Sequence, residues 1–190
     1  MRKGMQLAGL VLAVGFSGAA AAAQAVSFSD LVSTLSTKRD ACAEIAQKAQ
    51  SDFSTAAFND SLTAQTDAQK SRIDAQVYAV GHGNRETTQF LIARMQQDAT
   101  TQADRAKANS DRLAAARTAV QQCVSDAEAA GKAAFASFKA DQKHKSAVSE
   151  AEQATTAWLV NLQEITTDHP QGGDTSKENW AAAKARASLQ

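Results

Sequence analysis

Two cysteines are the residues in this 190-residue chain whose type and spacing commit it most clearly to a particular chemistry. Cys42 and Cys123 make an even count, and in an exported chain such a pair oxidises to a disulfide. Once bridged, neither sulfur is available as a nucleophile. The other reactive side chains do not assemble into a recognisable set. His82 and Glu86 lie four apart, a separation able to hold a weak ion, although a solvent-exposed turn residue is the simpler reading of His82. His144 sits in a polar stretch and His169 precedes Pro170, neither beside a second ligand type at a strong metal spacing. Haem or di-iron chemistry would need inward-facing His, Met or Glu-x-x-His at facing positions, which the sequence lacks. Serine and threonine are plentiful, but no Gly-x-Ser-x-Gly elbow or phosphate-binding glycine loop accompanies them. Paired acids such as Glu150 and Glu152 read as a solvated helix face. The expectation is a non-enzymatic chain with no catalytic residue, no metal site and no cofactor.

The first three residues, Met1-Arg2-Lys3, precede an apolar run over residues 5–16 and a small-residue run over 17–25. That layout predicts a cleavable signal peptide over 1–25, with Val26 as the mature start. The apolar run is too short to span a bilayer, and nothing later is apolar enough, so no stable membrane insertion is expected after cleavage. The alanine-rich signal points to a bacterial protein, periplasmic or secreted. Without Arg2 and Lys3 the formal charge falls from zero to −2, which gives no reason to expect a nucleic-acid partner. The local basic cluster of Lys139, Lys143, His144 and Lys145 reads as a solvated turn before it reads as a contact for headgroups or an acidic surface.

The elements that position the two sulfurs follow from composition. Proline occurs once, at Pro170, and between Val26 and His169 the glycines are Gly81, Gly83 and Gly131. Average usage would put about ten glycines and seven prolines in that stretch. Sheets need turns and turns need those residues, so a few very long helices are expected. The clearest break is Gly81-His82-Gly83-Asn84, where two glycines can take positive φ and Asn84 can cap the next helix. The point halfway between Cys42 and Cys123 falls between His82 and Gly83. An antiparallel hairpin turning there pairs positions that add to 165, which sets Ile45 opposite Val120, Ala49 opposite Ala116, Phe53 beside Leu113 and Ile73 opposite Ile92. The second helix carries a matching heptad stripe: Ile92, Met95, Ala99, Gln102, Ala106, Asn109, Leu113, Ala116, Val120, Cys123, Ala127 and Ala130.

The first helix should begin near residues 27–30. A further turn is expected at 139–145, with Gly131 as its rival. Val148, Ala151, Thr155, Trp158, Leu162 and Ile165 recur at helical spacing and predict a third helix folding back on an apolar base. That base draws on Phe28, Leu31, Leu35, Ile45, Phe53, Phe58, Val120, Phe135 and Phe138. Trp158 reads as core, with a ligand or partner contact as the alternative. A break over 168–174, followed by Thr175 and Glu178 at capping-box spacing, predicts a short terminal helix that docks or frays.

The fold expected is all-α: an elongated, coiled-coil-like antiparallel hairpin with a three-helix base and a short C-terminal helix. Residues 1–25 are the signal, 26–168 the helical domain, and 169–190 a loop and terminal helix. In outline this resembles periplasmic adaptor and chaperone proteins and the helical minor subunits of secretion or pilus machines. The polar arm and the lack of a chemical site lead to the expectation of an exported interaction protein, a structural or assembly component of a bacterial envelope, secretion or pilus machine, whose partners are proteins, a second copy of itself included. A periplasmic holdase and a small-ligand or metal carrier using a cavity beside Trp158 are the alternatives.

Overall fold

A computed structural model describes residues 27–141 and 145–189. The expected signal peptide, and Lys143 and His144 of the basic cluster, lie outside them. Four helices follow in order: α1 (Phe28–Gly81), α2 (Asn84–Asp141), α3 (Lys145–Gln163) and α4 (Asp174–Ala187). The protein is an all-α helical hairpin, α1 and α2 packing antiparallel along their lengths. At about 1.5 Å per residue, the 54 residues of α1 span about 80 Å.

α1 begins where its first turn can satisfy orphan amides. The Ser27 hydroxyl accepts from the Asp30 N–H at 3.0 Å, and the Ser27 N–H donates to the Asp30 carboxylate at 3.2 Å, a closed capping box. α1 ends at His82, whose backbone is extended (φ −134°, ψ 155°). The expected positive-φ glycines are not used at this turn, since among described residues only Gly172 has positive φ. Asn84 is the first residue of α2 rather than its cap, and the Gly83 carbonyl accepts from both the Thr87 N–H and hydroxyl. An extended residue between two helices suffices to reverse the chain here.

α2 runs through Gly131 without a break as far as Asp141, and α3 starts at Lys145. Gly131 is buried because a tryptophan lies on it: a Cβ built there would overlap the Trp158 ring. α3 packs that indole, fully buried, against α1 and α2, and the indole N–H donates to the Leu35 carbonyl at 2.7 Å. Phe28, Leu31, Leu35, Val120, Phe138, Leu162 and Ile165 complete the core. Ile45, Phe53 and Phe58 do not join it and stay exposed; Phe53 and Phe58 lie beyond Gln50, where the loop after α3 makes its farthest contact with α1.

α4 closes the base rather than fraying, burying Trp180, Ala183 and Ala187. Its start differs from the expected capping box. Gly173 is the N-cap residue with no side-chain cap, and Thr175 and Glu178 lie inside the helix. The position is set by tertiary contacts instead: the Gly173 N–H donates to Glu164 Oε2, and buried Ser176 accepts from Asn161 Nδ2 at 3.0 Å. Gly172, at φ 77°, passes so close to Asn161 that a Cβ would collide with it.

Candidate functional site

The disulfide sets where the arm begins. Cys42 and Cys123 are bonded with their Cα atoms 5.6 Å apart, closing a separation of 81 residues. Just beyond them Ile45, Ala49, Phe53, Leu113 and Ala116 line an apolar groove of about 450 Å³, rimmed by Lys48, Asp52 and Arg112. The pairs Ala49 with Ala116 and Phe53 with Leu113, expected from the cysteine register, share this groove.

Farther out the interface between the helices is polar. Asp60 accepts from the Asn109 amide. Arg105 pairs with Asp67 at 3.0 Å. The Ser71 hydroxyl donates to Asp98 at 2.7 Å and accepts from Arg94 Nε at 3.2 Å, while Arg94 also stands 3.9 Å from Asp74. These side chains are half-buried. At the tip Tyr78 is sandwiched between His82 and Phe90, with centroids 3.8 Å and 4.4 Å away and rings nearly parallel. His82 is exposed in the turn, as expected, and its Nδ1 lies 2.9 Å from the Tyr78 carbonyl.

With polar groups inside, apolar side chains face out. Ile73, Val77, Val80, Ile92 and Met95 are all exposed, Val80 to 91%. The expected pairing of Ile73 with Ile92 is therefore wrong, as is the distal half of the heptad stripe: Ile92, Met95, Ala99, Gln102 and Ala106 point away from α1. A seven-residue stripe drifts by roughly 20° per heptad on a straight α-helix. Over the four-odd heptads from Cys123 to Ile92 that is roughly a quarter-turn, which carries the stripe from the inner face to the outside. The register slips as well. Tyr78 with Phe90 adds to 168, and Ser71 with Asp98 and Asp60 with Asn109 add to 169, rather than 165.

Trp158, weighed as a partner or ligand contact, is core and reaches no surface. His82 and Glu86 gain no third ligand: among described residues no group of three or more His, Cys, Asp or Glu could hold a metal ion. No helix among them is long and apolar enough to cross a membrane. Sequence reasoning passed over Arg39, Asn161 and Gln171, which tie the base together. The signal was an asparagine set within the apolar stripe of α3, one position before Leu162.

Fold and surface together define a disulfide-bonded helical hairpin whose distal arm holds ion pairs between its helices and carries exposed Ile, Val and Met on an otherwise polar outside. Compared against protein families, curated proteins and solved structures, the chain matches none.

Proposed function

We propose that this chain is a non-enzymatic exported interaction protein, a structural or assembly component of a bacterial envelope, secretion or pilus machine, whose arm is its contact surface. The observation that carries this reading is the set of apolar side chains that the distal arm leaves exposed. Apolar side chains cost free energy when left in water, about 25 cal/mol per Å². A run of them at helical spacing on a long, otherwise polar arm is a surface suited to burial by protein. Ile73, Val77, Val80, Ile92 and Met95 supply that run.

A photocrosslinking residue placed at Ile73 or Met95 in intact cells tests it against a control at exposed Lys38 in the base. Protein adducts from both arm sites and none from the control are expected. Arm sites that yield no adduct would remove the reading.

A holdase is the second reading, favoured by the apolar groove of Ile45, Phe53 and Leu113. It predicts that the protein slows aggregation of an unfolded client and that Phe53→Glu abolishes the protection. A carrier reading loses its premise, because the Trp158 indole is packed on Gly131 rather than lining a cavity.

A further inference from the structure

The groove beyond the disulfide joins an apolar floor to an arginine that no described residue engages. Ile45, Ala49, Phe53 and Ala56 on α1 and Leu113 and Ala116 on α2 form the floor, and no residue of α3, α4 or the loop between them lines it. Ile45 and Phe53 stay 40% and 38% exposed, although they stand at the better packed end of the arm. The charged side chains of the lining are Lys48, Asp52 and Arg112. Lys48 and Asp52 neutralise each other at 2.7 Å. The acids nearest Arg112 are engaged elsewhere: Asp111 pairs with Lys107 at 2.7 Å, and Asp60 accepts from the Asn109 amide. Arg112 is left without an ion pair or a side-chain hydrogen bond among the described residues, and the lining carries one net positive charge. Facing positions add to 165 at the cysteines and to 169 at Asp60 with Asn109, so Arg112 stands across from residues 53–57, at the end of the groove away from Ile45.

Dimensions narrow the choice of occupant. From Ile45 to Ala56 the groove runs about 16 Å, which for about 450 Å³ gives a mean cross-section of about 28 Å². An α-helix is about 10–12 Å across with its side chains, so one laid here would ride on the rim and bury the charges of Lys48, Asp52 and Arg112. An extended peptide, from strand and sheet spacings of about 4.8 Å and 10 Å, needs about 48 Å². A floor of Ala, Ile, Leu and Phe side chains also offers its amides no partner. A single acyl chain is thinner, has no polar group along its length, and ends in one head that an arginine can meet.

We infer that this groove binds a single-chain anionic amphiphile, a free fatty acid, with its carboxylate on the Arg112 guanidinium and its tail running toward Phe53 and Ile45. The guanidinium presents parallel N–H donors to both carboxylate oxygens. The ligand is the free acid and not the face of a bilayer, because the charged rim stands between the floor and any flat apolar surface. The contact is separate from the distal arm surface proposed above, so either can fail without the other. It also gives the groove an occupant other than the unfolded client of the holdase reading.

Calorimetric titration of the purified protein with dodecanoate below its micelle concentration, with octanoate, and with dodecyltrimethylammonium tests chain length and charge. Dodecanoate should saturate a single site and bind at least about tenfold more tightly than octanoate, since its extra methylenes leave water. It should bind at least about fivefold more tightly than the cation of equal tail. Arg112→Gln, a change at an exposed side chain, should erase most of the preference for the anion and keep the dependence on chain length. A fatty acid carrying a diazirine near its methyl end should label residues 45–53. No saturable binding, equal affinity for anion and cation, an Arg112→Gln variant that keeps the full preference, or labels concentrated at Ile73 and Met95 would each overturn the proposal. Binding to phosphatidylglycerol vesicles with none to free dodecanoate would overturn it in favour of membrane docking.

Discussion

The Arg39 guanidinium is buried in the base, yet its nearest carboxylate belongs to exposed Asp40, 3.0 Å away. Neutral groups carry the rest of the solvation: Nε donates to Asn161 Oδ1 at 2.9 Å, Nη1 to Gln171 Oε1 at 2.9 Å and Nη2 to the Gln171 carbonyl at 2.7 Å. One side chain thus ties α1 to α3 and to the loop leading into α4. Arg39→Ala strands those acceptors and should cost about 3 kcal/mol in urea unfolding, whereas Lys38→Ala, exposed one residue away, should cost little. At the start of α1 the Ser27 hydroxyl, followed by the Ser27 backbone N–H, holds the Asp30 carboxyl below its usual value. A lowered folded pKa means that the stabilisation is complete above the unfolded value, about 3.9, and is lost as pH falls through the folded one. NMR titration should therefore show Asp30 protonating at lower pH than in a Ser27→Ala variant, and equal titration curves would contradict the capping box. The N-terminal start near residues 27–30 was legible, though its capping box was not itself read, whereas Arg39 looked like any helix arginine.

At the scale of the element, α1 and α2 change character along their length while their secondary structure does not. Near the cysteines the helices meet through alanine, leucine and phenylalanine, and beyond Asp60 through ion pairs and amides. Half-exposed ion pairs contribute little net stability, so the distal arm should open far more readily than the base. Hydrogen exchange is expected to be fast over residues 60–105 and slow over 28–46 and 120–138 in dilute protein. Replacing the Asp67–Arg105 pair with leucine on both sides should stabilise the arm by about 1 kcal/mol, seen as slower exchange on both flanks. Faster exchange in that variant would mean that the ionic seam stabilises the hairpin more than its exposure implies. The existence of both helices and their turn could be read from the scarcity of glycine and proline. Which face of each helix points inward could not, since that depends on small angular differences accumulated over many turns.

The whole molecule is a four-helix base carrying a long two-helix arm, and the disulfide lies where one gives way to the other. Closing an 81-residue loop lowers the entropy of the unfolded chain and contributes on the order of 4 kcal/mol. Reduction should lower the unfolding midpoint of the base, while the fast exchange of the distal arm should scarcely change. A base that melts at the same temperature with and without reductant would show that packing alone fixes it. The sequence by itself determined the helical class, the position of the turn, the third helix and the meeting of Cys42 with Cys123, because these follow from local propensity and from counting residues along a hairpin. Only the tertiary structure decided that Gly131 is a packing glycine under Trp158, and that the arm turns ion pairs into its seam and Ile, Val and Met outward. Those outcomes rest on how faces rotate and fit across tens of ångströms, and no local pattern of residues records that.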